Sequence, residues 1–396
     1  MSNLSRGASL RSPAMRFVLL VGVMSLFADM TYEGSRSIVG PYLALLGASA
    51  TAVGFVAGGG ELLGYGLRLV SGRLADVTGR YWPITIAGYV IQMAAVPALA
   101  LVGSWQAAAI LIALERTGKA MRNPPRDAML ARASEDIGRG WAFGVHEALD
   151  QLGALIGPLV AAAVLAIRGD YKIAFALLLV PAITTLSILA FARLTYPNPE
   201  HLATHPADVR TAGLPHEMWT YLIATMLVAA GFADFSLMAF HFAQAGTLAP
   251  DIVPVFYAAA MGIAGLGSLL LGRVFDRVGI VVLVPLTAVS ALFAPLVFLG
   301  APVLAFLGVL LWGLGMGVHE SIMAAAVAGM VPANRVASAY GLFNLLYGVA
   351  WFAGSATMGI LYDVSIPVLV GFCVVVELLA IPLLLQVHRG RRREPV

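Results

Sequence analysis

Gly72-Arg73-Leu74-Ala75-Asp76-Val77-Thr78-Gly79 returns 200 positions later as Gly272-Arg273-Val274-Phe275-Asp276-Arg277-Val278-Gly279. Other echoes keep the same order. Phe27-Ala28-Asp29 returns as Phe232-Ala233-Asp234, Ala142-Phe143-Gly144 as Ala339-Tyr340-Gly341, and Gly157 then matches Gly354. Ordered self-similarity at about half the chain length marks a duplicated unit.

Composition says what kind of unit. Of 396 residues, 60% are hydrophobic and only 11% charged, against about 25% charged in an average soluble domain. So few charges could not cover a soluble surface, and so apolar a chain is not disordered. Twelve stretches approach the roughly 20 apolar residues that cross a bilayer. They are 17–45, 50–70, 82–103, 105–122, 141–167, 171–193, 218–245, 252–272, 280–299, 302–325, 336–361 and 365–386. The runs are continuous rather than alternating, which excludes a β-barrel. The first run is too long for a signal peptide and has no cleavage pattern after it, so it is read as the first helix. The expected fold is an all-α polytopic membrane protein of twelve transmembrane helices in two pseudo-symmetric six-helix bundles. The bundles span 1–195 and 218–396, joined by a proline-rich linker at 196–217.

Arginines orient the chain. Segments on the side of the N-terminus hold Arg6, Arg11, Arg16, Arg73, Arg80, Arg126, Arg132, Arg139, Arg210, Arg273, Arg277, Arg335 and the basic tail; the opposite connections hold Arg168 and Lys172. By the positive-inside rule both termini are cytoplasmic, which places the protein in the inner membrane. The basic residues thus report orientation and no nucleic-acid partner is expected. One cysteine, Cys373, allows neither an intrachain disulfide nor a cysteine metal cage. No glycine loop followed by lysine offers nucleotide binding, and no histidine pair has metal-ligand spacing, so neither an enzyme nor a cofactor is expected.

The loop Gly72, Asp76, Gly79, Arg80 resembles the G-x-x-x-D-x-x-G-R/K signature of the major facilitator superfamily, with Tyr81 where a second basic residue is usual. Gly272, Asp276, Arg277 and Gly279 form its counterpart. Glycines permit a tight turn and close helix approach, and the aspartate can face a helix N-terminus or an arginine. The loop is therefore expected to act as a gating latch. Gly153, Gly157 and Pro158 resemble the G-x-x-x-G-P element of proton-driven exporters in that superfamily, with Ala161 and Ala162 where two further glycines are usual. Small residues there allow tight helix packing.

Ionisable groups within spans are functional candidates. Asp29, Glu33 and Arg36 share one helical face by their spacing, and Glu147 lies one turn from Asp150. Like-charged neighbours in a poorly solvated cavity cannot both ionise cheaply, so these four carboxylates are the proton-coupling candidates. The resemblance implies that helices 1, 4, 7 and 10, with parts of 2, 5, 8 and 11, line the cavity. That places Arg36, Arg116, Lys119, Asp234, His319, Glu320, Asn344, Tyr347 and Trp351 at the substrate. Arg116 resembles the helix 4 arginine of many exporters, which exchanges protons with a carboxylate. Several in-span charges have plainer readings. Glu33–Arg36 and Glu115–Lys119 are spaced as structural pairs, Arg68, Arg122 and Arg126 could reach the surface, and His146 and His241 suit helix–helix hydrogen bonds. The run Arg122–Asp127, with Pro124 and Pro125, is read as the end of helix 4 and a cap or second latch.

The resemblance implies a secondary transporter working by alternating access, a proton-coupled exporter of small organic or amphipathic compounds. Its expected partners are a small-molecule substrate, protons and the lipid bilayer, and its working unit a monomer. A proton-coupled importer or uniporter of an organic anion is the rival within transport; a non-transporting receptor or assembly factor is the rival outside it.

Overall fold

The computed structural model describes residues 13–133, 139–197, 215–331 and 336–391. Five long helices open the chain: α1 (Pro13–Leu45), α2 (Ala50–Thr78), α3 (Tyr81–Ala98), α4 (Trp105–Ala133) and α5 (Arg139–Arg168). The sixth span is divided into α6 (Tyr171–Leu177) and α7 (Leu179–Thr195), and the seventh into α8 (His216–Gly231) and α9 (Phe235–Ala245). Next come α10 (Ile252–Val278), then α11 (Leu283–Ser290) and α12 (Phe293–Leu299) as the ninth span. The tenth span is α13 (Pro302–Gly317), a π turn at Val318–Met323 and α14 (Ala324–Ala328); α15 (Val336–Val364) and α16 (Ile366–Arg391) complete twelve. Most of the linker lies outside the described residues.

Among the described residues, eight helical stretches are long and apolar enough to cross a membrane, and one of them, Ile252–Leu299, holds two spans. The other three spans are α2, α4 and the short α13. Charge is what dilutes α2 and α4, which carry Glu61, Arg68, Glu115, Arg116, Lys119 and Arg122.

Helix α4 corrects the sequence reading. It does not end at Arg122–Asp127 but runs on to Ala133, with Pro124 and Pro125 inside it. Pro124 has no N–H to give the carbonyl four residues back, that of Ala120. The Ser71 hydroxyl of α2 donates to that carbonyl at 2.8 Å. A Cβ on the next residue, Gly72, would lie 3.3 Å from the Pro124 ring. The first glycine of the repeated loop therefore seats the proline of α4.

Each half is built on a tight glycine contact. Helix α5 packs along α1, and a Cβ at Gly157 would stand 2.2 Å from the Met30 carbonyl oxygen, one at Gly153 2.2 Å from that of Leu26. In the second half α15 packs on α8, and a Cβ at Gly354 would stand 2.1 Å from the Ala230 oxygen. Gly157 and Gly354, partners in the sequence repeat, thus do the same job in the two halves.

Across the halves α2 packs on α15, α1 on α9 and α5 on α10. At the end away from the chain termini the seal is close. A Cβ at Gly40 would be 2.1 Å from the Ser236 oxygen, and one at Gly54 2.3 Å from that of Ser355. Asp363, ending α15, accepts from the α2 N-terminus: Thr51 N at 2.9 Å, Ala50 N at 3.3 Å and the Thr51 hydroxyl at 2.6 Å. A carboxylate there meets unsatisfied amides and the positive end of the helix dipole.

Gly157→Leu and Gly354→Leu should each cost at least the 1–3 kcal/mol typical of overpacking. Size-exclusion yield and thermal unfolding in detergent should fall for both. Gly371→Ala should be neutral in the same assay, because a Cβ there meets nothing within 4 Å.

Candidate functional site

The seventh span breaks at Phe232–Asp234. There Asp234 caps α9, accepting from Ser236 N at 2.8 Å through Oδ1. Its Oδ2 lies 3.2 Å from Nη2 of Arg36 on α1. The Trp312 indole donates to the Ala233 carbonyl at 2.8 Å, satisfying backbone that the break released. Asp29, the repeat partner of Asp234, stays inside an unbroken helix and meets Arg122 at 3.4 Å. Both repeat aspartates thus face an arginine, one within its half and one across the halves.

These contacts belong to a buried network. Glu61 of α2 stands between Arg36 and Arg116, 3.3 Å from each. Arg116 also meets Glu115 at 3.6 Å, and Glu115 accepts from Gln92 at 3.0 Å. The Gln92 carbonyl oxygen accepts from Arg122 Nε at 2.5 Å, and Arg122 also donates to the Tyr89 hydroxyl at 3.0 Å. Across the halves the Tyr257 hydroxyl donates to Glu33 at 2.5 Å. Removing one member of a buried pair typically costs about 3–5 kcal/mol, because the other charge is stranded.

Several plainer readings of single residues change here. Arg122 and Arg126 do not reach toward solvent: they are 0% and 7% exposed. Arg122 is held by α3 and α1, and Arg126 by Asp127 at 2.8 Å and Ser25 at 3.0 Å. Arg36 reaches Glu61 and Asp234, while Glu33 takes the Tyr257 hydroxyl. Glu115 turns to Arg116 and Gln92, leaving the Lys119 ammonium over the Tyr32 ring, 3.4 Å from its centroid. His146 meets Ser25 at 2.9 Å and His241 meets Tyr362 at 3.0 Å, as helix–helix bonds.

A cavity of about 540 Å³ lies between the halves, on the termini side of the seal. Asp29, Glu33, Arg36, Lys119, Glu147, Asp150, His319, Asn344 and Tyr347 all line it. Beyond Arg36, toward the sealed end, the open space shrinks to about 20 Å³. Arg116 lines that narrow space, while Asp234 stands behind the wall in the ionic network. Trp351 is buried at 2% exposure, packed 5.8 Å from Phe232 and 5.7 Å from Tyr347. Glu320 is in the π turn, and its side chain lies outside the described residues. π turns inside α-helices are frequent at functional sites, and this one carries His319 into the cavity.

Sequence reasoning missed Tyr257, Gln92, Tyr89 and Tyr32 as parts of the site. A lone tyrosine or glutamine in an apolar helix carries no periodic signal. Glu61 and Glu115 were visible as charges within spans, but nothing local ties them to α1 or α3.

The repeated loop is engaged within its own half. Asp76 accepts from the Tyr81 hydroxyl at 2.9 Å, and Arg132 of α4 donates to the same hydroxyl at 2.9 Å. Tyr81, unusual at that place in the motif, thus links the aspartate to α4. Gly79 and Gly279 have φ of 66° and 70°, the left-handed region that only glycine adopts freely. Arg80, Asp276 and Arg277 are exposed.

Comparison with known proteins agrees with this architecture. Residues 20–355 match the family model of the Major Facilitator Superfamily. A Mycobacterium tuberculosis protein described only as uncharacterized is 42% identical over 386 residues, covering 96% of this chain and 94% of that one. An uncharacterized MFS-type transporter of Methanocaldococcus jannaschii is 30% identical over 141 residues, 35% of each chain. Among solved structures, a POT family transporter in complex with 5-aminolevulinic acid aligns with a TM-score of 0.77 at 14% identity, over 96% of this chain and 97% of that one. The nucleoside transporter NupG aligns with a TM-score of 0.72 at 16% identity, over 96% and 100%. These neighbours are transporters and not enzymes. This chain is a multi-pass membrane protein that belongs to the major facilitator superfamily.

Proposed function

We propose that the protein is a proton-coupled exporter of small organic or amphipathic compounds in the inner membrane, working by alternating access as a monomer, with both termini cytoplasmic. The observation that carries this reading is Glu33. It lines the cavity on α1 and accepts the Tyr257 hydroxyl from the opposite half. A carboxylate that faces the cavity and also bridges the halves is held differently in the two states. Protonation and opening are then linked, because a ligand shifts a conformational equilibrium by its differential affinity. Asp150, one turn from Glu147 on α5, is the second carrier. The resemblance of Gly153–Pro158 to the exporter element favours outward movement.

The cations that would favour the organic-anion reading are Arg36, Arg116 and Lys119. Two of those cations already face Glu61, Asp234 and Glu115, which weighs against it. In the exporter reading Asp363 is the outer clip and Asp76 serves the alternate state, in which the cytoplasmic end is closed.

Cys373, the sole cysteine, is fully buried, so introduced thiols report cleanly. Asn344→Cys should react with an impermeant maleimide from the cytoplasmic side, and Val56→Cys, in the sealed region, should be shielded. Losing a helix cap costs about 1 kcal/mol. Adding Asp363→Ala should therefore raise the labelling rate of Val56→Cys from outside about fivefold, and an unchanged rate would remove Asp363 as a clip.

Glu33→Gln and Asp150→Asn should abolish flux driven by a pH gradient in proteoliposomes while substrate binding persists. Asp29→Asn and Glu147→Gln are the second choices in the same clusters for the loss of coupled flux alone. Should all four variants still accumulate substrate against its gradient, the carboxylates are structural and proton coupling through them is wrong.

A further inference from the structure

Most charges around the cavity have an opposite charge or a strong donor inside the protein. Arg36 has Glu61 and Asp234, Arg122 has Asp29, Arg126 has Asp127, and Glu33 has Tyr257. Among the described residues, four lining charges have no counter-ion within 4 Å: Glu33, which takes the Tyr257 hydroxyl, and Lys119, Arg68 and Glu147. Lys119 on α4 rests on the Tyr32 ring, and Arg68 on α2 lies 5.2 Å from the Tyr65 ring centroid. Glu147 on α5 is exposed to the cavity and takes only the neutral Gln151 amide, at 3.0 Å. Asp150 adds to the acidic side; it meets the His146 ring at 3.5 Å, and its Oδ1 is buried without a hydrogen bond.

The unmatched charges are sorted by wall. Helix α2 packs along α4, so Arg68 and Lys119 share one side. Helix α5 packs along α1 and against α10, so Glu147 stands on another. The second half adds the apolar Met261, Met316 and Phe343 and the ring of Tyr347, alongside the polar Ser268, His319 and Asn344.

We propose that the cavity binds an amino-carboxylate zwitterion with an apolar body. The Arg68 fork and the Lys119 ammonium hold the carboxylate, Glu147 holds the ammonium, and Phe343 and Tyr347 pack on the body. A guanidinium matches a planar carboxylate with two parallel donors. A solute with only one charge leaves one wall unmatched in a desolvated site, so the arrangement selects against it as well as for the zwitterion. This inference rests on the transporter reading above.

The test is calorimetric titration of the purified protein in nanodiscs with phenylalanine and phenylalanyl-phenylalanine. Each is used free, N-acetylated (an anion) and C-amidated (a cation). At least one free zwitterion should bind, at least tenfold tighter than its acetylated and amidated forms. In Lys119→Gln the free and amidated forms should bind alike; in Glu147→Gln the free and acetylated forms should bind alike. Monodisperse elution and unchanged shielding of Val56→Cys show that each variant is folded. Equal binding of a singly charged form by the wild type, or no binding by any of the six compounds, overturns the proposal. If Val56→Cys becomes reactive from outside in any condition, Asp363→Ala or a proton gradient included, the halves open and only the substrate class has failed. If no condition exposes it, alternating access has failed with it.

Discussion

Glu61 held between Arg36 and Arg116 is the contact on which the interior depends. Within a bilayer no water is available to solvate a charge, so each charged group must find its partners in the protein. Glu61 ties α2 to α1 and α4 at once, and Arg36 carries the tie to Asp234 in the other half. Through Arg116, Glu115 and Gln92 the same chain of contacts reaches Arg122, Tyr89 and Asp29. Five spans are thereby fixed at mid-depth by groups that would be intolerable singly. The cavity opens beside this network and shares Arg36, Asp29 and Arg122 with it.

The spans were legible because long apolar runs have few competing readings, and the duplication was legible because the same loop recurs with its glycines and aspartate. The end of α4 was not. Two adjacent prolines ordinarily stop a helix, and what sustains this one is a serine on another span, far from it in sequence. Arg122 looked like a surface residue for the same reason, since Gln92 and Tyr89 lie on a different helix. The break at Phe232–Asp234 had a local signal, a glycine followed by an aspartate and a serine in capping positions, but continuous hydropathy concealed it.

The site divides along the same line. Asp29, Glu33, Arg36, Glu147 and Asp150 stood out because charge in a span is rare. Which of them face a solute and which face one another depends on rotamers and helix rotation, to which spacing is blind. Trp351 shares a helical face with Tyr347 and Asn344, yet its ring turns behind the wall onto Phe232. Divergence between the repeats matters as much as their likeness. Asp29 and Asp234 occupy equivalent places, but only the second sits at a helix break and reaches across the halves.

The Ser71 hydroxyl on the Ala120 carbonyl constrains motion as well as structure. If α2 slid along α4 by even one residue, that carbonyl would be left bare in hydrocarbon, and the Pro124 ring would lose its seat on Gly72. Helices α2 and α4 must therefore travel as one rigid lever. Bending has to occur where the backbone ladder is already interrupted and its loose ends are held by side chains. Among the described residues such places include the division of the sixth span at Leu178 in the first half, and the gap between α8 and α9 and the π turn after α13 in the second. The paired α2 and α4 thus move against joints that lie in other spans of both bundles.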